Sequence, residues 1–339
     1  MADFDVVGLG EALVEFNQTE PGQPGYLQGY GGDTSNAVIA AARQGARCAY
    51  LSRVGADPFG EQLMALWRSE GVDTAGVLVD PQAHTGVYFV QHGAQGHVFN
   101  YLRQGSAASR MQPADLSHGL IERARFLHVS GISLAISASA CDTVFEAMAR
   151  ARAAGAQVCL DSNLRLRLWP AARARAILGE AMRLADIFLP SLDDMRHLTG
   201  HEDPSATLDW VRAAGAAGTV VLKMGRAGSI LDEAGRRQPV PAFAVDAVDA
   251  TGAGDCFAGN LLACRARGEG WLAAVRHANV AAALSTQGYG AVQPLPGQAA
   301  VRQALERATA PALVPAHGPA HGPGPGPGPG PGPGPGPAL

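Results

Sequence analysis

Short, almost wholly apolar runs alternate with segments of helical periodicity along most of the chain. "FDVVGL" at residues 4–9 is such a run, ending at glycine. "DTSNAVIAAARQG" at 33–45 reads as an alanine-rich helix, capped by Asp33 or Thr34 and stopped at Gly45. "RCAYLSRVG" predicts a further strand, and Pro58 opens the helix in "DPFGEQLMALWRSEG". Four more runs, "ARFLHVSG", "AQVCLDSN", "ADIFLPS" and "GTVVLKMG", each precede a helical segment. Strands apolar on both faces, each followed by a helix, predict an α/β fold with a mainly parallel central sheet flanked by helices on both faces.

Two regions break this rhythm. Residues 13–30 hold strand-like pieces around a Gly-Pro turn, and "TGVYFVQHGAQGHVFNYLR" at 85–103 reads as two alternating strands joined by a glycine-containing turn. Together, segments 12–31 and 84–104 predict a small β-sheet lid over the carboxyl edge of the main sheet, where such folds bind ligands. The last residues, 309–339, run into strict Gly-Pro alternation without the three-residue period of collagen. That predicts a disordered tail behind a folded domain over 1–308, with His317 and His321 solvated rather than metal ligands.

Composition adds limits. The 339 residues are 47% hydrophobic and 17% charged, with a formal net charge of −4, which offers no general attraction to nucleic acid or an anionic membrane. A small molecule is therefore the expected partner. The five cysteines show no C-x-x-C spacing and read as reduced, buried thiols, and the N-terminus carries acids where a signal peptide has bases; a cytoplasmic protein is expected.

Several common chemistries find no support. There is no G-x-x-x-x-G-K-[ST], "GLGEAL" lacks the third glycine of a dinucleotide fingerprint, no histidine pair has metal spacing, and Ser130 lies outside any G-x-S-x-G elbow. The stretch "DATGAGDCFAGN" at 249–260 stands out instead. Gly252, Ala253 and Gly254 precede a helix with side chains too small to obstruct its free N–H groups, an arrangement suited to an anion. Asp255 then puts a carboxylate beside that seat. A carboxylate next to a phosphate is repelled unless it is there to take a proton, so Asp255 reads as a general base for a hydroxyl attacking phosphorus. The plainer reading is an acidic residue in a first helical turn.

This stretch resembles the C-terminal signature of the PfkB (ribokinase-like) carbohydrate kinases, D-[TS]-x-G-A-G-D, and "GYGGDTSNAVIAAARQG" at 29–45 resembles their N-terminal signature. The likeness covers about residues 4–307, and "VFNYLRQGSAASRM" and "DSNLRLRLW" are similar to segments that hold a sugar acid and line the nucleotide site. The resemblance implies a ribokinase-like fold and an ATP-dependent sugar-acid kinase, with 2-keto-3-deoxygluconate as the expected substrate. A kinase of fructose or ribose, or a catalytically silent ligand-binding relative, are the alternatives.

Further roles follow only from that likeness. Gly32, Asp33 and Asn36 would lie against the sugar hydroxyls, and Tyr88, Tyr101 and Arg103 would contact the acid from the lid, with Arg103 gripping its carboxylate. Asn163, Arg165, Lys223, Gly225, Arg226, Gly228 and Asn279 would line the nucleotide site, Arg165 reaching substrate as well, whereas Arg167 reads as surface. Asp249 and Thr251 match positions that bind a monovalent cation such as K⁺. Where many members carry N-x-x-E to organise Mg²⁺, this chain has Ser191, Leu192, Asp193 and Asp194, so the ion would depend more on phosphates and water, with Asp194 as its carboxylate. A homo-oligomer formed through the lid is also expected.

Overall fold

In the computed structural model, which describes residues 2–93, 96–116 and 119–309, the apolar runs become strands of one nine-stranded sheet. In chain order the strands of the molecule are β1 (Phe4–Leu9), β2 (Leu13–Gln18), β3 (Tyr26–Gly31), β4 (Cys48–Gly55), β5 (Val72–Asp80), β6 (Val87–Gly93), β7 (Gly96–Leu102), β8 (Ala124–Ser130), β9 (Gln157–Asp161), β10 (Ile187–Leu189), β11 (Thr219–Lys223), β12 (Ser229–Glu233) and β13 (Arg236–Val240). The large sheet runs β13-β12-β11-β10-β9-β8-β1-β4-β5. It is parallel from β11 to β5, with Val6 opposite both Cys48 and Phe126. Contrary to the expected pattern, no α-helix follows β11: a single 3₁₀ turn leads into β12, which returns antiparallel and pairs with β13. Strand β5 had no clear signature either.

The helices are α1 (Asp33–Arg43), α2 (Pro58–Ser69), α3 (Gly131–Ala135), α4 (Ala138–Ala154), α5 (Ala171–Leu184), α6 (Leu192–Thr199), α7 (Pro204–Ala213), α8 (Ala253–Ala266), α9 (Trp271–Ser285) and α10 (Gln298–Thr309). They cover both faces because the strands are apolar on both. Val6 belongs to the core layer holding Ala37 of α1 and Leu261 of α8, while its neighbour Val7 belongs to the layer holding Val144 of α4 and Leu178 of α5. Each fully buried residue of this size contributes roughly 1.5–3 kcal/mol. Local stops match the sequence: the Asp57 carboxylate caps α2 at Gly60 N (2.8 Å) with Pro58 just inside, and Ser191 Oγ caps α6 at Asp194 N (3.0 Å).

Helix α1 starts differently from expectation. Its N-cap is Gly32, at φ 125, and neither Asp33 nor Thr34 caps it. A Cβ at Gly32 would meet the Glu11 carbonyl oxygen at 2.5 Å, so only glycine turns the chain there.

The second sheet has four strands in the order β3-β2-β6-β7. Strands β2 and β6 pair in parallel, Val14 opposite Val87, and hairpin partners flank them on each side. This is the small lid the sequence predicts from segments 12–31 and 84–104. One of its faces packs Phe16, Phe89 and Tyr26 together, with Phe16 against Phe59 of α2, and the other carries Leu13, Tyr88, Phe99 and Tyr101 toward the cleft. All five cysteines are buried and free. Among the described residues no helix is long and apolar enough to cross a membrane. The Gly-Pro tract, with His317 and His321, lies outside the described residues.

Candidate active site

A cleft of about 1210 Å³ lies at the carboxyl ends of the parallel strands, walled by the lid. It gathers Gly32, Asp33, Asn36, Tyr88, Tyr101, Arg103, Asn163, Arg165, Asp194, Lys223, Gly225, Arg226, Thr251, Gly252, Gly254 and Asp255 from most of the chain's length.

Asp255 sits in the first turn of α8. The N-cap is Gly252 at φ 75, a left-handed conformation that glycine adopts without strain, and no side chain caps the helix. Ala253 N bonds the Ala250 carbonyl at 3.2 Å, whereas the N–H groups of Gly254 and Asp255 meet no acceptor among the described residues. The helix start is therefore an open anion seat. Asn36 Nδ2 donates to Asp255 Oδ2 at 2.9 Å, fixing the carboxylate from α1. Asn36 Oδ1 is buried without a partner among the described residues, an acceptor left for a ligand.

Burial pushes the Asp255 carboxyl up to about 8, the nearby Asp33 adding to the effect, while the Asn36 hydrogen bond and the Lys223 charge oppose it. If Asp255 is the general base that the sequence suggests, it must be unprotonated to work, and kcat/KM should rise with pH along a limb centred far above the ordinary 3.8, near 8. Replacing Asp33 by Asn should move that limb to lower pH by removing a like charge. A pH-rate profile with its limb near 4 in both proteins would refute this.

Asp33 faces the same space. Its Oδ1 accepts Thr34 N at 2.9 Å and its Oδ2 accepts Asn163 Nδ2 at 2.9 Å. Asn163 has φ 27, a strained setting for any residue other than glycine, which Asn tolerates best. Asp161, two residues earlier, is 3% exposed and forms an ion pair with Lys223, Oδ2 to Nζ 2.5 Å. Ser162 Oγ donates to Asp194 Oδ2 at 2.6 Å.

The lid side departs from expectation at Arg103. Its guanidinium pairs with Glu11, a residue only 1% exposed, which also accepts Ser106 Oγ at 3.1 Å. Arg103 is thus already neutralised, with Tyr101 stacked 5.4 Å from it. Burial holds the Glu11 carboxyl above its usual range despite that cation. Tyr88 donates its hydroxyl to Glu15, another buried acid pushed up by burial. Arg165, Arg167 and Arg226 line the cleft with no carboxylate partner among the described residues. Arg167 is exposed, as expected, and at the cleft rim it donates to the Phe99 carbonyl of β7 at 3.2 Å.

Four expected site residues lie off the cleft lining. Ala253 stands just ahead of the two open N–H groups, its own N–H taken by the Ala250 carbonyl. Gly228 closes the 3₁₀ turn after β11, where a Cβ would strike the Val240 carbonyl oxygen at 2.3 Å. Asn279 is 9% exposed, its amide donating to Ser229 Oγ and the Val240 and Pro241 carbonyls, so it braces α9 against β12–β13. Asp249 pins its own turn, accepting Thr251 N at 2.9 Å, Thr251 Oγ1 at 2.6 Å and Gly290 N at 2.9 Å. Sequence reasoning passed over Glu11 and Asp161. The available signal was a charge at the end of a buried strand or two residues past it, at the sheet edge where ligands bind.

A lidded, mainly parallel sheet with this helix-start carboxylate is the build of a sugar kinase, and the sequence agrees: residues 3–298 match the pfkB family carbohydrate kinases, to which the chain belongs. It is 37% identical to 2-dehydro-3-deoxygluconokinase of Thermoproteus tenax over 77% of this chain and 82% of that one. It is also 33% identical to fructokinase-1 of Zea mays over 89% and 98%. Among solved structures, fructokinase of Vibrio cholerae in its fructose, ADP and calcium ion bound form superposes with a TM-score of 0.79 at 32% identity, covering 88% and 98%.

Proposed function

We propose that this sugar kinase acts on a sugar acid, 2-keto-3-deoxygluconate (2-dehydro-3-deoxygluconate), and converts it with ATP into the 6-phosphate. The observation that carries phosphoryl transfer is the Asp255 carboxylate held by Asn36 beside the open N–H groups at the start of α8. As the substrate's terminal hydroxyl attacks the γ-phosphorus, its proton passes to Asp255, the new P–O bond forms, and ADP leaves with the electron pair of the broken bond. The Gly254 and Asp255 N–H groups face the charge growing on the transferred phosphoryl, and the lid keeps competing water out. The acid is supported by Arg165 and Arg167, unpaired guanidiniums that can take a carboxylate through two parallel bonds, and by the Thermoproteus tenax relative.

The donor set suits a magnesium ion carried by the nucleotide. Among the described residues no group of three or more His, Cys, Asp or Glu could cage a metal, while Asp194 opens on the cleft. Asp194 would face the ion's waters, and the ion, when bound, supplies positive charge to the phosphates. The calcium in the Vibrio cholerae fructokinase structure supports a divalent ion in this role.

A neutral hexose is the second reading, favoured by one observation: the lid cation Arg103 is neutralised by Glu11. A coupled ADP-release assay with ketodeoxygluconate, fructose and ribose decides. The sugar acid should give the highest kcat/KM by at least about tenfold, the worth of one charged hydrogen bond. A preference for fructose moves the chain to the neutral-sugar class, and no turnover on any of them leaves a silent binder.

A further inference from the structure

Lys223 ends β11 and Asp161 ends β9, with β10 between them, so their 2.5 Å ion pair spans three neighbouring strand ends. Neither group is a surface charge: Asp161 is 3% exposed and the Lys223 side chain 14%. The lysine has a second neighbour. A Cβ built on Gly254 would lie 3.4 Å from Nζ, so the ammonium stands between a buried carboxylate and the open N–H turn of α8. Asp161 is itself oriented, since its Oδ1 accepts Asn163 N at 3.2 Å, and Asn163 in turn reaches Asp33. One carboxylate thus fixes both the cation at the anion seat and the loop that touches Asp33.

We propose that Asp161 is a positioning residue for phosphoryl transfer, holding the Lys223 ammonium where it meets the oxygens of the phosphoryl group beside the Gly252–Gly254 turn. The inference rests on the kinase reading above and assigns the cation of that site. A lysine ammonium is a point charge on a flexible four-carbon stem, and left alone it samples many positions. Anchored by Asp161, it needs no reorganisation as charge builds on the phosphoryl oxygens, and the low-dielectric cleft strengthens its effect. The pair also balances itself toward the base, because Asp161 raises and Lys223 lowers the Asp255 carboxyl. Asp161 lines the cleft with its Oδ2 engaged by the lysine and its Oδ1 by Asn163 N, so it acts through the lysine.

The test compares Asp161→Asn, Lys223→Met and the double variant in the full chain, using the best substrate of the sugar panel. Lys223→Met strands a buried carboxylate, so the double variant, which removes both charges, keeps the comparison usable if the single one unfolds. Asp161→Asn should lower kcat by about 10²-fold, on the scale of losing one preorganised donor. KM for the sugar should barely change, and the ascending pH limb should move to lower pH as a like charge near Asp255 disappears. Because Asp161 acts through the lysine, Lys223→Met should lose at least as much as Asp161→Asn, and the double variant should be no slower than Lys223→Met; if Lys223→Met unfolds, the double variant should lie within about 10-fold of Asp161→Asn. Wild-type kcat in Asp161→Asn, an unmoved pH limb, or a double variant slowed by the product of two independent losses overturns the inference. Failure of the kinase reading looks different, because the wild-type chain itself would then phosphorylate no sugar.

Discussion

Asp255→Asn should lower kcat by about 10²–10⁴-fold, the contribution of a positioned general base, with the affinity for ATP retained. The substitution keeps the shape of the side chain and its place opposite Asn36, 2.9 Å away, while replacing the carboxylate by an amide that cannot take up a hydroxyl proton. Stability should change little at neutral pH, where the raised carboxyl is largely protonated, and rise at alkaline pH, where a buried negative charge near Asp33 is removed. Steady-state kinetics together with nucleotide titration by calorimetry separate the two effects. Full turnover in a folded Asp255→Asn protein would take Asp255 out of the mechanism, and loss of nucleotide binding would show that the residue shapes the anion seat rather than serving as base.

Arg103→Ala should destabilise the fold by about 3–5 kcal/mol, since it leaves the Glu11 carboxylate buried and uncompensated. The pH dependence carries a definite sign. Burial already raises the Glu11 carboxyl above its ordinary 4.5, and losing the cation raises it further. A group raised in the folded state supports stability below its unfolded value and withdraws it as pH climbs through the folded one. The penalty in Arg103→Ala should therefore be largest at neutral and alkaline pH and shrink toward pH 4.5. Adding Glu11→Gln should recover much of the loss. Urea unfolding at several pH values measures all of this. A variant with unchanged stability and only a raised KM for the sugar acid would return Arg103 to the substrate-gripping role that the resemblance implies.

Strands buried on both faces were readable because consecutive apolar residues dominate them, as Val6-Val7 in β1, Phe126-Leu127 in β8 and Val158–Leu160 in β9. Strand β5 was not, since its residues alternate irregularly between buried and exposed where it forms the sheet margin. The edge strand β13, "RRQPV", is polar for the same reason, and its pairing with β12 is a choice of tertiary packing rather than of local pattern. The candidate site divides in the same way. The G-A-G-D turn is local, so its N–H geometry follows from four consecutive residues. The partners that set the charge of each side chain are remote: Glu11 lies 92 residues from Arg103 and Asp161 lies 62 from Lys223. No spacing rule links them, and so Arg103 read as a free cation until its neighbour was seen.

The reach between α1 and α8 has a consequence for how the molecule is made. Asn36 and Asp255 are 219 residues apart, and the same two helices bury Ala37, Ala40 and Ala41 against one another, with Ala37 carbonyl oxygen only 2.1 Å from where a Cβ on Gly259 would be. During synthesis at ~5–20 residues per second, α1 leaves the ribosome roughly 10–45 s before its cover exists. Over that interval the nascent chain shows an alanine-and-valine face with nothing to shield it, and the half-built sheet beside it has β8 and β9 still to add. Chaperone capture during elongation should therefore fall on the first 250 residues and release once α8 emerges, so that the helix that ends the sticky period is also the one that brings Asp255.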